Sequence, residues 1–178
     1  HTSSPAIDFA AVHDHVHEVI AKIAVHDSVE RFEGLGVTVI RGAARFVAPR
    51  LVAVRDQKIT ARRIVVGTGS KATIPPVPGL SNVSCLTNDL KNLPQRVIVI
   101  GGGPIGMEMA QAFRRLGSEV CIVERFGLLA KDEPEAVEIV RKRLVSEGVS
   151  IHEHTSVLHA KRNGDAVDIS IRAASGKT

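Results

Sequence analysis

Residues 97–106 read Val97-Ile98-Val99-Ile100-Gly101-Gly102-Gly103-Pro104-Ile105-Gly106. Four aliphatic residues in a row are typical of a strand buried in a parallel sheet. The glycines predict a tight turn, and the segment that follows predicts a helix ending at Leu116 and closed by Gly117. A second aliphatic strand, Val120 to Val123, then ends at Glu124. This stretch therefore predicts a βαβ unit.

The turn has the spacing G-x-G-x-x-G, which is typical of a strand that leads into a helix at a pyrophosphate. Gly101 permits the tight turn, Gly103 lets a pyrophosphate approach the backbone, and Gly106 lets helix and strand pack closely. Unpaired N–H groups at the start of the helix favour the phosphates. The predicted dinucleotide site comprises Gly101, Gly102, Gly103, Pro104, Ile105, Gly106, Glu124 and Arg125.

Glu124 decides which dinucleotide the sequence favours. It lies near the expected spacing of about 20 residues from the first glycine, where an acid binds the ribose hydroxyls. A carboxylate there accepts hydrogen bonds from both hydroxyls and repels a 2′-phosphate, so we expect NAD. Arg125 is able to flank a 2′-phosphate, which leaves NADP open.

The first 90 residues have a different pattern of predicted helices and strands. A helical period runs over residues 5–32, and short strand signals between Val37 and Thr60 predict a small antiparallel excursion. Ile64 to Val66 predicts a further strand, and the proline-rich stretch 75–79 predicts a stiff connection. We place a domain boundary near Leu90. The expected fold class is α/β, with a parallel sheet and an antiparallel β excursion.

Beyond the second strand, Asp132 and Glu135 form a capping-box-like pair that opens a helix running to about Glu147. Three more strands are predicted at Val149–Ile151, Val157–Ala160 and Val167–Ile171. The last two strands are joined at an Asn163-Gly164 turn.

Composition excludes several classes of protein. The chain has 178 residues, 44% of them hydrophobic, 3% aromatic, and a net charge of +4. Because the basic residues are scattered and aromatic residues are scarce, we expect no nucleic-acid partner. No apolar run reaches the length of a membrane span, and no signal peptide opens the chain, so we expect a cytoplasmic protein. Cys85 and Cys121 lie in neither disulfide nor zinc spacing.

Histidines near the start of the chain raise the question of a metal site. His13 and His17 are four residues apart and would share one helix face, as metal ligands do. No cysteine or carboxylate cluster accompanies them, and Asp14 and Glu18 indicate an ordinary solvated face. We therefore predict no metal.

Three segments together resemble the flavin-dependent pyridine nucleotide-disulfide oxidoreductases. The segments are Gly101–Glu108, Ile64–Ser70 and Pro75–Leu80. The closest resemblance is to the mercuric reductase-like and dihydrolipoamide dehydrogenase-like branches. The resemblance implies a Rossmann-like FAD/NAD(P)-binding fold, with residues 1–90 as part of an FAD domain. Residues 91–178 would then be an NAD(P) domain that is incomplete at its C-terminal end.

The resemblance also implies cofactor contacts. The residues that match flavin-facing positions are Ala44, Thr68, Gly69 and Ser70. Gly67 stands where the family motif A-T-G-S has alanine. Glu108 matches an acid beside the flavin and nicotinamide, and Val157 matches a position on the adenosine side of NAD.

In the family, hydride passes from NAD(P)H to FAD and on to a redox disulfide. The sequence lacks the family's first FAD fingerprint, its C-x-x-x-x-C disulfide, the lysine partner of Glu108 and the C-terminal His-Glu pair. We therefore expect a fragment of an oxidoreductase, without a catalytic residue of its own and inactive alone. The intact enzyme is expected to be a homodimer through a C-terminal domain. The alternatives are a non-catalytic NAD-binding module and a structural interaction domain; the substrate stays open.

Overall fold

The computed structural model describes residues 7–71, 73–86 and 90–174. The chain divides into two compact units, His15–Ala72 and Thr73–Thr178, the latter together with His1–Asp14. This division falls before the proline-rich connection. The division into FAD and NAD(P) domains near Leu90 stays a prediction.

Two helices occupy the region where the sequence predicts one. Helix α1 spans Phe9–Ala24 and α2 spans Val29–Gly34. The single helix predicted through Phe32 is wrong because the chain turns between them, where Ser28 caps α2 by accepting a hydrogen bond from the Arg31 backbone N–H at 3.2 Å. Serine competes for backbone groups in this way and therefore favours a helix start over a helix interior.

The predicted antiparallel excursion is confirmed. Strands β1 (Ala44–Ala48), β2 (Leu51–Val54) and β3 (Gln57–Thr60) form a three-stranded antiparallel sheet in that order. Only two of its hydrophobic side chains, Ala53 and Val54, are buried.

Two other strand predictions are wrong. The segments 37–40 and 64–66 are aliphatic, yet neither forms a strand. A strand needs a neighbour for its backbone hydrogen bonds. Within the described ranges no strand pairs with either segment, and Val65 is 92% exposed.

The predicted βαβ unit is confirmed and extended. Strands β4 (Arg96–Ile100), β5 (Glu119–Val123) and β6 (Ser150–His152) form a parallel sheet in that order. Helix α3 (Pro104–Leu116) links the first two strands, and α4 (Pro134–Ser146) links the last two.

The core of this unit lies between the sheet and its helices. Its buried members are Val97, Met107, Ala110, Phe113, Val120, Ile122, Leu128, Val137, Leu144 and Val149. Because parallel strands end at one edge, the core fixes the residues that follow β4 and β5 side by side. The Gly101 backbone N–H donates to the Val123 carbonyl oxygen at 3.0 Å at that edge.

Helix α4 does not begin with the predicted capping box. Its N-cap is Glu133, whose side chain makes no capping hydrogen bond, and Pro134 occupies the first turn. Proline suits this position because its missing N–H would lack a helical acceptor anyway. Asp132 lies outside the helix, and its N–H donates to the Leu129 carbonyl oxygen at 2.8 Å.

The chain then forms a hairpin of β7 (Thr155–Asn163) and β8 (Ala166–Ala173). Asn163 pairs with Ala166, so the turn lies at residues 164–165, one position later than predicted. No helix in the described ranges combines the length and the apolar character that crossing a membrane requires.

Candidate functional site

The glycine-rich turn follows β4 directly, and two of its glycines are required by the fold itself. Gly101 has φ 113°, a left-handed conformation that L side chains rarely adopt. A Cβ atom on Gly106 would collide with the carbonyl oxygen of Gly101. Helix α3 therefore packs closely onto the end of β4 only if position 106 carries no side chain.

Gly103 is different, because the protein itself does not require glycine there. It is the N-cap of α3 with φ −77° and ψ 177°, which any residue adopts. A Cβ atom on Gly103 would meet nothing within 4 Å. The space in front of the helix is therefore open, as the approach of a ligand to the backbone requires.

The start of α3 offers donors toward this space. The Met107 N–H is the first that bonds back into the turn, to the Gly103 carbonyl oxygen at 3.0 Å. Amides that precede it have no intrahelical acceptor, and the helix dipole places partial positive charge there. These groups fit a pyrophosphate.

Glu124 lies directly after β5 with its carboxylate fixed in place. Its Oε2 accepts from the Gly102 N–H at 2.6 Å, and its Oε1 accepts from the Phe126 N–H at 2.7 Å. Each carboxylate oxygen keeps a further lone pair for another donor. The side chain is partly buried, so a pre-oriented acceptor faces the glycine-rich turn.

Arg125 is exposed beside this carboxylate. Its guanidinium lies 5.5 Å from the ring centroid of Phe126, which is also exposed. No ion pair between Arg125 and Glu124 is found in the described part of the chain.

A second carboxylate, which was not predicted from the sequence, supports the loop after β5. Glu153 Oε1 accepts from the Leu128 N–H at 2.8 Å and from Arg141 Nη2 at 2.7 Å. The β5–β6 register ends with Val123 opposite His152, so Glu124 and Glu153 follow equivalent positions. An acid just after each of two adjacent parallel strands was the signal for this residue.

The other predicted NAD-side residues belong to the same unit. Val157 lies on β7, partly buried, and the start of that strand is tied to β5 because the Thr155 N–H donates to the Glu124 carbonyl oxygen at 2.9 Å. Glu108 is exposed on α3 and lines a cleft of about 270 Å³. The cleft is lined by Pro104, Met107, Glu108, Leu129, Asp132 and Val140.

The predicted flavin-facing residues belong to the other unit. Ala44 is exposed on β1, and Thr68, Gly69 and Ser70 are exposed in a segment without regular secondary structure. Open space lies beside Gly67 and Gly69. These residues do not enclose a flavin by themselves.

The cysteines offer no redox pair within the described residues. Both are free thiols: Cys85 is exposed, and Cys121, on β5, is partly exposed. Burial raises the pKa of the Cys121 thiol, so it is a poor nucleophile.

The parallel sheet, with a glycine-rich turn between β4 and α3, defines an α/β fold of the type that binds dinucleotides. The sequence model of the pyridine nucleotide-disulphide oxidoreductase family matches residues 4–178, and the chain belongs to that family. It is 34% identical to a mercuric reductase of Bacillus cereus over 170 residues, 93% of this chain. It is also 34% identical to a dihydrolipoamide dehydrogenase of Chaetomium thermophilum over 160 residues, 82% of this chain.

A solved structure is similar as well. The HOCl-induced flavoprotein disulfide reductase RclA from Escherichia coli, in a Cu(II) complex, matches with TM-score 0.76 and 26% identity. The match covers 93% of this chain and 39% of that one. The chain spans only 27% of the mercuric reductase and 31% of the dihydrolipoamide dehydrogenase.

Proposed function

We propose that this chain binds NAD(H) at the glycine-rich turn and is part of a longer flavin-dependent oxidoreductase. In that enzyme the bound NADH supplies a hydride to FAD. The reduced flavin then reduces a redox disulfide, and the resulting dithiol reduces the substrate. NAD is proposed over NADP. The mercuric reductase and dihydrolipoamide dehydrogenase relatives support this class of reaction.

The observation that carries the proposal is the juxtaposition of Glu124 and the open space beside Gly103. The carboxylate contacts the N–H of Gly102, the residue that immediately precedes Gly103. A dinucleotide with its pyrophosphate against the start of α3 has its adenosine ribose on the Glu124 side of the turn. Glu124 then accepts from the ribose hydroxyls with its remaining lone pairs, and its charge opposes a 2′-phosphate.

The test is a titration of the chain with NADH and with NADPH, followed by amide chemical shifts. We expect tighter binding of NADH, and we expect Glu124→Ala to weaken NADH by about tenfold, the loss of hydrogen bonds to a charged group. The affinity for NADPH should fall less in this variant, because the 2′-phosphate no longer faces a negative charge.

Glu119→Ala is the matched control. Glu119 is an exposed glutamate at the opposite end of the same strand, β5, so it tests loss of a charge without loss of the ribose acceptor. The affinity of the Glu119→Ala variant for NADH should stay within about twofold of the parent value. A tenfold preference of the parent chain for NADPH would reverse the cofactor assignment and give the phosphate to Arg125.

A non-catalytic NAD-binding module is the second candidate. The observation in its favour is that residues 67–70 lie exposed and do not enclose a flavin among the described residues. Titration of the longer protein with FAD separates the two candidates, because an NAD-binding module does not bind flavin even in the longer protein. An FAD-loaded longer protein that oxidises NADH would reject the module.

A further inference from the structure

We propose that Glu153, held by Arg141, is a positioning residue for dinucleotide recognition. It acts through the loop of residues 124–129, which we call the ribose loop. The inference rests on the proposed function of Glu124 in binding the ribose of NAD. Glu153 itself reaches the loop backbone and not the glycine-rich turn.

The ribose loop is bonded along its length to the segment that contains Glu153. The Glu124 N–H donates to the His152 carbonyl oxygen at 2.9 Å, and the His154 N–H donates to the Phe126 carbonyl oxygen at 3.0 Å. His154 adopts φ 50°, a left-handed conformation. Further along the loop, the Leu128 N–H donates to a side chain, the carboxylate of Glu153.

Leu128 transmits this support to the glycine-rich turn. Its side chain is 3% exposed and lies so close to Gly102 that a Cβ atom there would be 2.5 Å from Leu128 Cδ2. The next residue, Leu129, donates its N–H to the Gly102 carbonyl oxygen at 2.9 Å. Gly102 in turn donates to the Glu124 carboxylate, so displacement of Leu128 disturbs the ribose acceptor.

Arg141 keeps the Glu153 carboxylate oriented. Its guanidinium contacts both carboxylate oxygens of Glu153 and also pairs with Glu138 through Nε at 3.1 Å. The Glu153 side chain is only 15% exposed, where water screens the pair less than at an open surface. Helix α4 thus anchors the ribose loop through one side chain.

The chain offers a closely matched control. Glu147 is also 15% exposed and also pairs with an arginine of α4, Arg143, at 2.6 Å. It bonds to the C-terminal part of α3 instead of the ribose loop. Glu153→Ala and Glu147→Ala therefore each remove a paired carboxylate, but only the first removes support from the loop.

The experiment measures the affinity for NADH and NADPH and the amide shifts of Gly102 and Leu128 in the parent chain and in both variants. We expect Glu153→Ala to weaken NADH about tenfold and to narrow the NADH over NADPH preference. Glu147→Ala should leave affinity and preference within about twofold, although both variants lower the melting temperature. Glu153→Gln keeps an acceptor for Leu128 and should recover most of the affinity.

Equal NADH affinity in the parent and in folded Glu153→Ala would overturn the inference, as would equal weakening by both alanine variants. Should Glu153→Ala fail to fold, Arg141→Gln decides, because it removes the group that orients the Glu153 carboxylate. A weakened affinity for NADH supports positioning, and an affinity equal to that of the parent chain rejects it. A parent chain that binds neither nucleotide overturns the proposed function. The Gly102 and Leu128 shifts in Glu153→Ala then still test whether Glu153 holds the loop.

Discussion

A methyl group added at each glycine of the turn is expected to have a different effect, on ligand binding at Gly103 and on stability at Gly106. Gly103→Ala adds a methyl group where the protein leaves open space, so we expect an unchanged melting temperature. The same methyl group obstructs a pyrophosphate at the backbone, and NADH should bind at least about tenfold more weakly, ~1.4 kcal/mol. Thermal unfolding and NADH titration of this one variant check both statements.

Gly106→Ala is the contrasting variant. Its methyl group would meet the Gly101 carbonyl oxygen, and such overpacking costs about 1–3 kcal/mol of unfolding free energy. Should Gly103→Ala bind NADH like the parent, the pyrophosphate does not lie at residue 103. An unaltered stability of Gly106→Ala would mean that α3 shifts away from β4 at little cost.

Glu124 could be singled out from the sequence by its place, whereas the contacts of Glu153 could not. The first stands at a fixed spacing from a glycine motif and ends an aliphatic strand, so both its place and its chemistry follow from local pattern. The role of Glu153 depends on the register of β6 against β5 and on Arg141 of α4, which meet only in the folded chain.

The C-terminal ends of α3 and α4 are joined by ionic hydrogen bonds. Glu147 accepts from Arg115 Nη2 at 2.7 Å and from Arg143 Nε at 2.6 Å, and Gln111 donates to it at 3.2 Å. The hydrogen bond from Arg115 is the main reason that the pKa of Glu147 falls from 4.5 to about 2. Arg143 and Gln111 add to the effect.

This pairing predicts a pH dependence of stability. Because the folded pKa is lower than the unfolded value, the stabilisation is complete above pH 4.5 and is lost as the pH falls toward 2. The parent should therefore melt above Glu147→Gln at pH 7, and the gap should shrink between pH 4.5 and 2. A gap that stays constant over this range would show that the Glu147 charge does not contribute.

Aliphatic runs predicted some strands and failed for others, for one physical reason. Residues 97–100 and 64–66 are alike in sequence, but the first run pairs with β5 while the second has no partner strand in the described ranges. An aliphatic run shows that a segment tends to be buried in a sheet. Whether it forms a strand also depends on a second segment that supplies the backbone hydrogen bonds. The capping box predicted at Asp132 is also wrong, because α4 begins at Pro134 and Asp132 lies outside the helix.

The two units differ in how much apolar surface they bury. The unit with the parallel sheet has a continuous core, whereas His15–Ala72 buries only Ala53 and Val54 among its described hydrophobic residues. Helix α1 buries no residue at all, although its apolar side chains recur at helical spacing. Exposed apolar faces of this kind mark surfaces that contact other proteins, membranes or ligands, or that promote aggregation.

Helix α1 gives the last prediction. Ile20 is 53% exposed and Leu144 of α4 is 1% exposed, so the two aliphatic residues differ in burial far more than in size. Ile20→Lys should change the unfolding free energy by no more than about 0.5 kcal/mol, and Leu144→Ala should cost about 2–5 kcal/mol. Urea unfolding of this chain, followed by circular dichroism, measures both. A loss above about 1 kcal/mol in Ile20→Lys would mean that the apolar stripe of α1 is covered in solution, which contradicts the exposed helix.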